Sequence, residues 1–325
     1  MTSLDDLAAQ IAPDPARIEE TILSALDAPE ALIGQVSGHL IGAGGKRLRP
    51  MLTAAAARLC GSMDDRHIPL AVCIEFLHSA SLLHDDVVDE SDRRRGHDSA
   101  HRIFGNKAAI LVGDFLLSRA FRLLVEYGDR EAVSVVAEAT ATIATGEVRQ
   151  LAAMGDLTIF EADYLAVARA KTAALFAAAT EIGAISAGAD TATRAALRAY
   201  GDNLGIAFQL ADDALDYDAS AEALGKAPGD DFRDGKITLP VLLSYAKGND
   251  AERDFWHRTM TEGDIRGGDF ETAIKISGRH DALAATRKRA MQYANAARDA
   301  LAPLMDRPLA KLLDDLAKSI VTRDR

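Results

Sequence analysis

LLHDDVVDE, residues 82–90, sets three carboxylates, Asp85, Asp86 and Asp89, into an otherwise apolar run. On a helix, positions i and i+4 share a face about one turn apart, so Asp85 and Asp89 point the same way. Like charges at that spacing repel unless something positive lies between them. Mg²⁺ suits the gap, because it takes oxygen ligands and is commonly held by one or two carboxylates together with substrate phosphates. A solvated acidic face explains most motifs of this kind. Here, however, FQLADDALDY, residues 208–217, repeats the spacing with Asp212, Asp213 and Asp216, 127 positions later and again in apolar surroundings. Two copies are hard to explain as surface.

Outward from the two motifs, the chain reads as helical. All nine prolines lie at or before Pro69 or at and beyond Pro228, leaving 158 positions without one. A Pro-free span rich in Ala, Leu and charged residues favours consecutive long helices. Its apolar residues recur every three or four positions, and no sustained alternation occurs. Helices are expected at about 17–43, 51–60, 69–91, 106–127, 131–154, 159–187, 191–218, 238–248, 269–277, 280–301 and 307–321. Pro69 suits a first helical turn, and Gly128, Gly155 and Gly188 suit helix ends. Residues 249–268 are the most irregular and read as a surface excursion. The expectation is one all-α domain over residues 1–325.

The 325 residues are 48% hydrophobic with a net charge of −12, enough for a large core and opposed to nucleic-acid binding. Cys60 and Cys73 are the only cysteines and read as core thiols in a reducing compartment. The N-terminus lacks a basic-then-apolar leader, and no apolar run is long enough to span a membrane. A soluble, cytoplasmic protein is expected.

Cationic segments accompany the acidic ones. GAGGKRLRP, residues 42–50, brings Lys46, Arg47 and Arg49 beside two glycines, without the GxxxxGK[ST] pattern of a nucleotide loop. It is either a solvated basic face or a clamp for an anionic head group. His78 lies seven positions before Asp85, two helical turns away on the same face. Ala80 and Ser81, one turn before the aspartates, are small where something bulky might pack. After the first motif, Arg93, Arg94 and Arg95 either neutralise the aspartates or grip a diphosphate from its other side, since guanidinium groups bind phosphate bidentately. Lys171 and Thr172 interrupt the apolar run RAKTAALFAAA. LGKAPGDDFRDGKITLP, residues 224–240, alternates Lys226, Asp230, Asp231 and Lys236 in a loop able to close over metal and phosphate.

GGKRLRP, LLHDDVVDESDRRRG, Gly113–Asp114, GEVRQL at 146–151, Lys171–Thr172, FQLADDALDY and GDDFRDGKITLP occur in the order found in trans-isoprenyl diphosphate synthases, which the chain resembles from about residue 40 to 245. The resemblance implies an all-α bundle around a deep central cavity, with the two acidic motifs facing each other at its mouth, and a homodimer. It implies metal-binding walls at Asp85, Asp86, Asp89, Asp212, Asp213 and Asp216, with Asp85, Asp89 and Asp212 as the expected direct Mg²⁺ ligands. By the same resemblance, Lys46, Arg49, His78 and Arg95 match positions that hold isopentenyl diphosphate. Arg94, Lys171, Lys226 and Lys236 match positions for the allylic diphosphate, and Thr172 and Gln209 stand beside the reacting carbons. The chain departs at Asp230–Asp231–Phe232, where members often have a single Asp followed by Leu.

The chemistry this implies is loss of diphosphate from the allylic partner, assisted by several Mg²⁺ ions and a ring of Lys and Arg. The double bond of isopentenyl diphosphate then attacks the allylic cation, and the released diphosphate takes the proton. A terpene cyclase shares the acidic motif but generally lines its cavity with aromatics, and this chain is only 5% aromatic. A phosphohydrolase reading of His84–Asp85 leaves the second motif idle, and a non-catalytic partner subunit would be expected to have degraded motifs. Small residues at 80 and 81 leave room for a long product, octaprenyl to decaprenyl, as on a quinone ring, with transient membrane contact for its release. Leu124 and Val136 are the candidate floor, and a farnesyl or geranylgeranyl synthase is the alternative.

Overall fold

The computed structural model describes residues 2–42, 45–94, 97–218 and 229–322. The helices are α1 (Thr2–Gln10), α2 (Asp14–Ala25), α3 (Ala31–Gly42), α4 (Leu48–Leu59), α5 (His67–Val88), α6 (Ala100–Phe104), α7 (Asn106–Tyr127), α8 (Arg130–Ala152) and α9 (Glu161–Ala168). They continue with α10 (Ala174–Ser186), α11 (Thr191–Asp216), α12 (Asp230–Arg233), α13 (Leu239–Lys247), α14 (Asp250–Trp256), α15 (Asp269–Arg279), α16 (Ala282–Ala300) and α17 (Pro308–Thr322). The strands among the described residues are two short segments, β1 (Arg93–Arg94) and β2 (His97–Asp98), paired antiparallel with Arg93 opposite Asp98. The all-α expectation holds, and no helix of the described residues is long and apolar enough to cross a membrane.

Three local expectations are corrected. The single helix at 17–43 is two, because Pro29 has no N–H to bond the carbonyl four residues back and its ring clashes there. The helix at 159–187 is α9 and α10 joined by a wide turn, Arg169–Ala173, in which the backbone bonds reach one residue further. Residues 249–268 are a surface excursion only in part, since residues 262–268 are irregular and mostly exposed. Residues 250–261 are helical, and Trp256 is fully buried in a second apolar cluster with Tyr217, Phe232 and Met260. Polar residues around the tryptophan hide its role from a periodicity count.

The main core joins α1–α5, α7, α8, α10, α11 and α17. A glycine inside a helix costs about 1 kcal/mol against alanine, so it marks a place where backbones must touch. A Cβ on Gly146 of α8 would stand 2.6 Å from the Ala170 Cβ, and one on Gly205 of α11 would stand 2.5 Å from the Ala173 Cα. Both glycines therefore press α8 and α11 against the wide turn that carries Lys171 and Thr172. Cys73 is buried, and burial pushes its thiol up to about 12; Cys60 is half-buried, and burial raises it too.

Candidate active site

The first acidic wall closes α5. Asp89 is the residue that ends the helix, and its N–H bonds the Asp85 carbonyl at 2.8 Å, keeping both on one turn. Asp85 Oδ2 faces Lys171 Nζ at 3.5 Å, and Asp89 Oδ2 faces Lys236 Nζ at 3.6 Å. Asp86, about 100° round the helix, is buried instead. Each lysine touches a second carboxylate: Lys171 bonds Glu147 at 2.9 Å and Lys236 bonds Asp234 at 3.0 Å. Burial works to lower both lysines, but Asp85 and Glu147 outweigh it at Lys171, as Asp231 and Asp234 do at Lys236, so both are raised and charged.

The second wall, at the end of α11, divides its three aspartates. Asp212 is half-buried. Asp213 is buried and accepts hydrogen bonds from the Tyr164 hydroxyl and from Gln209 Nε2, the latter at 2.9 Å. Gln209 Oε1 in turn accepts from Thr172 Oγ1 at 2.7 Å, so Thr172, Gln209, Asp213 and Tyr164 form one chain. Burial pushes Asp213 up to about 7 against the pull of those donors. Asp216 accepts the backbone N–H groups of Gly229, Asp230 and Asp231 at 3.1, 3.1 and 3.0 Å. Burial raises Asp216, and it raises Asp231 strongly with help from Asp216 and Asp213.

Among the described residues, no three carboxylate or imidazole groups gather into a ready-made metal cage. The donor set nonetheless suits a hard cation that completes its shell with phosphate oxygens. Asp85 and Asp89 offer carboxylate oxygens to ammonium groups across a short gap, while Asp213 and Asp216 already spend theirs on protein donors.

On the cationic side, Arg49 Nη1 lies 3.1 Å from His78 Nε2, and its guanidinium sits 4.5 Å from the centre of the Phe176 ring. Lys46 is exposed nearby in sequence. Arg47 is taken up by the fold, bonding Glu19 and the buried Glu75 at 2.8 and 2.9 Å. Arg95 and Lys226 lie outside the described residues, and for Arg94 the structure gives only its backbone pairing to His97. His84 leans on Gly113 of α7, with Nε2 at 3.2 Å from the Ile110 carbonyl and 3.5 Å from Asp114 Oδ1.

Two residues of the site escaped the sequence reading. Glu147 stands out in the sequence only as part of GEVRQL, although its neighbour Gly146 marks a close approach. Burial and then Asp85 raise its pKa while Lys171 opposes them. Tyr164 carried no signal beyond its helical register; its partner Asp213 lies 49 positions away.

The model of the family described as polyprenyl synthetase matches residues 30–276. The octaprenyl diphosphate synthase of Escherichia coli strain K12 is 41% identical over 325 residues, which span 100% of this chain and 99% of that one. Among solved structures, a decaprenyl diphosphate synthase from Rhodobacter capsulatus superposes with a TM-score of 0.94 at 48% identity, covering 99% of both chains. A polyprenyl synthase from Caulobacter crescentus CB15, complexed with calcium and isoprenyl diphosphate, gives a TM-score of 0.95 at 47% identity, covering 99% of this chain and 98% of that one.

Proposed function

The chain belongs to the polyprenyl synthetase family and is a long-chain trans-prenyltransferase, and we propose that it joins isopentenyl diphosphate head to tail onto an allylic diphosphate until the chain holds eight to ten units. The observation that carries the reading is the pair of lysines, Lys171 and Lys236, lying against the Asp85–Asp89 face. A diphosphate brought there would meet both ammonium groups, and the carboxylates they leave would turn to a divalent cation. Mg²⁺ held by Asp85, Asp89 and Asp212 would neutralise the charge that grows on the departing diphosphate.

The remaining work belongs to the chain's own groups. Lys171, Lys236, Arg94 and Lys226 hold the allylic diphosphate; Lys46, Arg49, His78 and Arg95 hold isopentenyl diphosphate. Thr172 and Gln209, already bonded to each other, present their oxygens beside the carbons where positive charge develops. Tyr164 and Asp213 fix that pair from behind. No protein nucleophile takes part, and the proton leaves to the released diphosphate.

The product descends along α5. Its 22 residues rise about 33 Å, and a fully extended prenyl unit spans roughly 5 Å, so an octaprenyl chain of about 40 Å uses the whole helix and bends or passes beyond it. Ala80 is buried and small, so its side chain puts no bulk beside this route. Leu124, fully buried, lies eleven residues past Gly113, roughly 16 Å further down α7. That depth holds three or four units in a straight line, so a long chain runs past Leu124 and Val136 or coils above them. The length suits a quinone side chain.

The α7–α8 face exposes Leu111, Val125, Val148 and Leu151. Exposed apolar side chains on these helices suit cover by a second copy, which makes a homodimer the fitting assembly. A cytoplasmic enzyme that delivers its product at the membrane surface is the corresponding location. Pure protein incubated with radiolabelled isopentenyl diphosphate, farnesyl diphosphate and Mg²⁺ tests the reading. Labelled polyprenyl alcohols of eight to ten units are expected after dephosphorylation; absence of condensation would overturn it.

A further inference from the structure

Lys236 owes its place to a segment with little stability of its own. α12, Asp230–Arg233, is a single turn, and isolated helices that short do not persist in water. Two anchors hold it. At its start, Asp216 accepts the three N–H groups of residues 229–231. On its inner side, Phe232 is fully buried, with ring centres 5.7 Å from Phe270, 6.4 Å from Trp256 and 6.5 Å from Phe255. These spacings fall in the range that aromatic pairs prefer. Gly229 completes the fit: its φ is +89°, and a Cβ there would stand 2.6 Å from the Phe270 ring.

The backbone carries this placement onward. The Phe232 carbonyl accepts from Gly235 N–H at 3.1 Å, and the Asp231 carbonyl accepts from Lys236 N–H at 2.8 Å. Lys236 then reaches Asp234 and Asp89 across the mouth of the site. A shift of Phe232 in its socket is therefore a shift of the Lys236 main chain. The socket comes from residues 255–270, the part of the chain that carries no site residue of its own.

We propose that Phe232, seated among Phe255, Trp256 and Phe270, is a positioning residue that sets Lys236 against the allylic diphosphate. This rests on the reading of Lys236 given above. It assigns the aromatic cluster beneath the 229–238 loop a role in binding one substrate and not the other, because Arg49 and His78 stand on α4 and α5, with Arg49 against His78 and the Phe176 ring.

Steady-state kinetics with farnesyl diphosphate and isopentenyl diphosphate, on wild type, Phe232→Ala, Phe232→Leu, Lys236→Ala and the Phe232→Ala/Lys236→Ala double variant, test it. Phe232→Ala is expected to raise KM for farnesyl diphosphate about tenfold, since small misplacements of a binding group carry penalties of that size or more. KM for isopentenyl diphosphate should stay within about twofold. Phe232→Leu, which keeps an apolar plug, should recover most of the loss. In the double variant, removing Phe232 should add nothing to the loss of Lys236, because residues acting through one another are not additive. Equal rises in both KM values, or a full additive effect in the double variant, would overturn the assignment. Should Phe232→Ala fail to fold, Phe270→Leu loosens the same socket and is read by the same criteria. A wild-type protein that condenses nothing would refute the proposed function instead, so the two failures are distinguishable.

Discussion

Replacing Ala80 by Phe should shorten the product while leaving condensation intact. Ala80 is 3% exposed and lies five residues before Asp85 on α5, about 7.5 Å along the helix axis. A diphosphate bound as proposed would rest above the carboxylates by roughly the length of a metal–oxygen contact plus a side chain, about 5 Å. Some 12 Å then separates the reacting carbon from residue 80, room for two or three extended units at roughly 5 Å each. A phenylalanine ring at that level would stop growth at two or three units instead of eight to ten. The ring must also be accommodated in a packed core, at about 1–3 kcal/mol of stability. None of the groups contacting Lys171, Lys236 or Asp85 is altered, so the first condensation should proceed at close to the wild-type rate. Thin-layer chromatography of dephosphorylated, radiolabelled products reads the length, and initial rates with farnesyl diphosphate against geranyl diphosphate read the chemistry. A variant that makes the wild-type product would show that the chain does not pass Ala80. Loss of condensation with every primer would show that the residue acts on the site and not on the path below it.

Removing divalent metal with a chelator should abolish condensation, and Asp85→Ala or Asp212→Ala should each lower kcat by about 10²–10³-fold, the usual cost of one preorganised electrostatic group; metal-free turnover near the wild-type rate would refute the cation reading. Arg95→Ala should chiefly raise KM for isopentenyl diphosphate, whereas Lys236→Ala should act on the allylic partner, and equal effects would undo the division of the two anion sites. Stability should carry an acid-sensitive component at Asp14, which is fully buried and bonded by Arg58 at 2.7 Å and by His67 at 2.9 Å. Burial works to raise its pKa, but Arg58 and then His67 hold it down to about 2. A folded value below the unfolded one stabilises the protein above about pH 4 and ceases to as pH falls through about 2, a loss of roughly 2–3 kcal/mol. Urea unfolding of wild type and Asp14→Asn across that interval should converge as pH drops; parallel curves would refute the assignment.

The helical class and most helix positions were legible because they depend on spacing within a few residues. A Pro-free span with apolar residues every three or four positions has no other regular structure to adopt. The same local rule put Asp85 and Asp89 on one face, and the structure keeps them there. One failure is local, for Pro29 divides a helix that hydrophobic spacing alone would run through; the other is not, for Trp256 sits in a polar-looking stretch whose burial depends on partners at Tyr217, Phe232 and Phe270.

Within the second motif, spacing makes Asp212, Asp213 and Asp216 equivalent, whereas packing does not. Asp213 turns to Tyr164 and Gln209, Asp216 takes three backbone N–H groups, and Asp212 is half-buried. Period and composition settle which face of its own helix a residue occupies. They carry no information about which face of another helix it will meet. That depends on how near two backbones come, as Gly146 and Gly205 allow beside the wide turn, and it is this approach that puts Glu147, Lys171 and Thr172 beside the acidic walls.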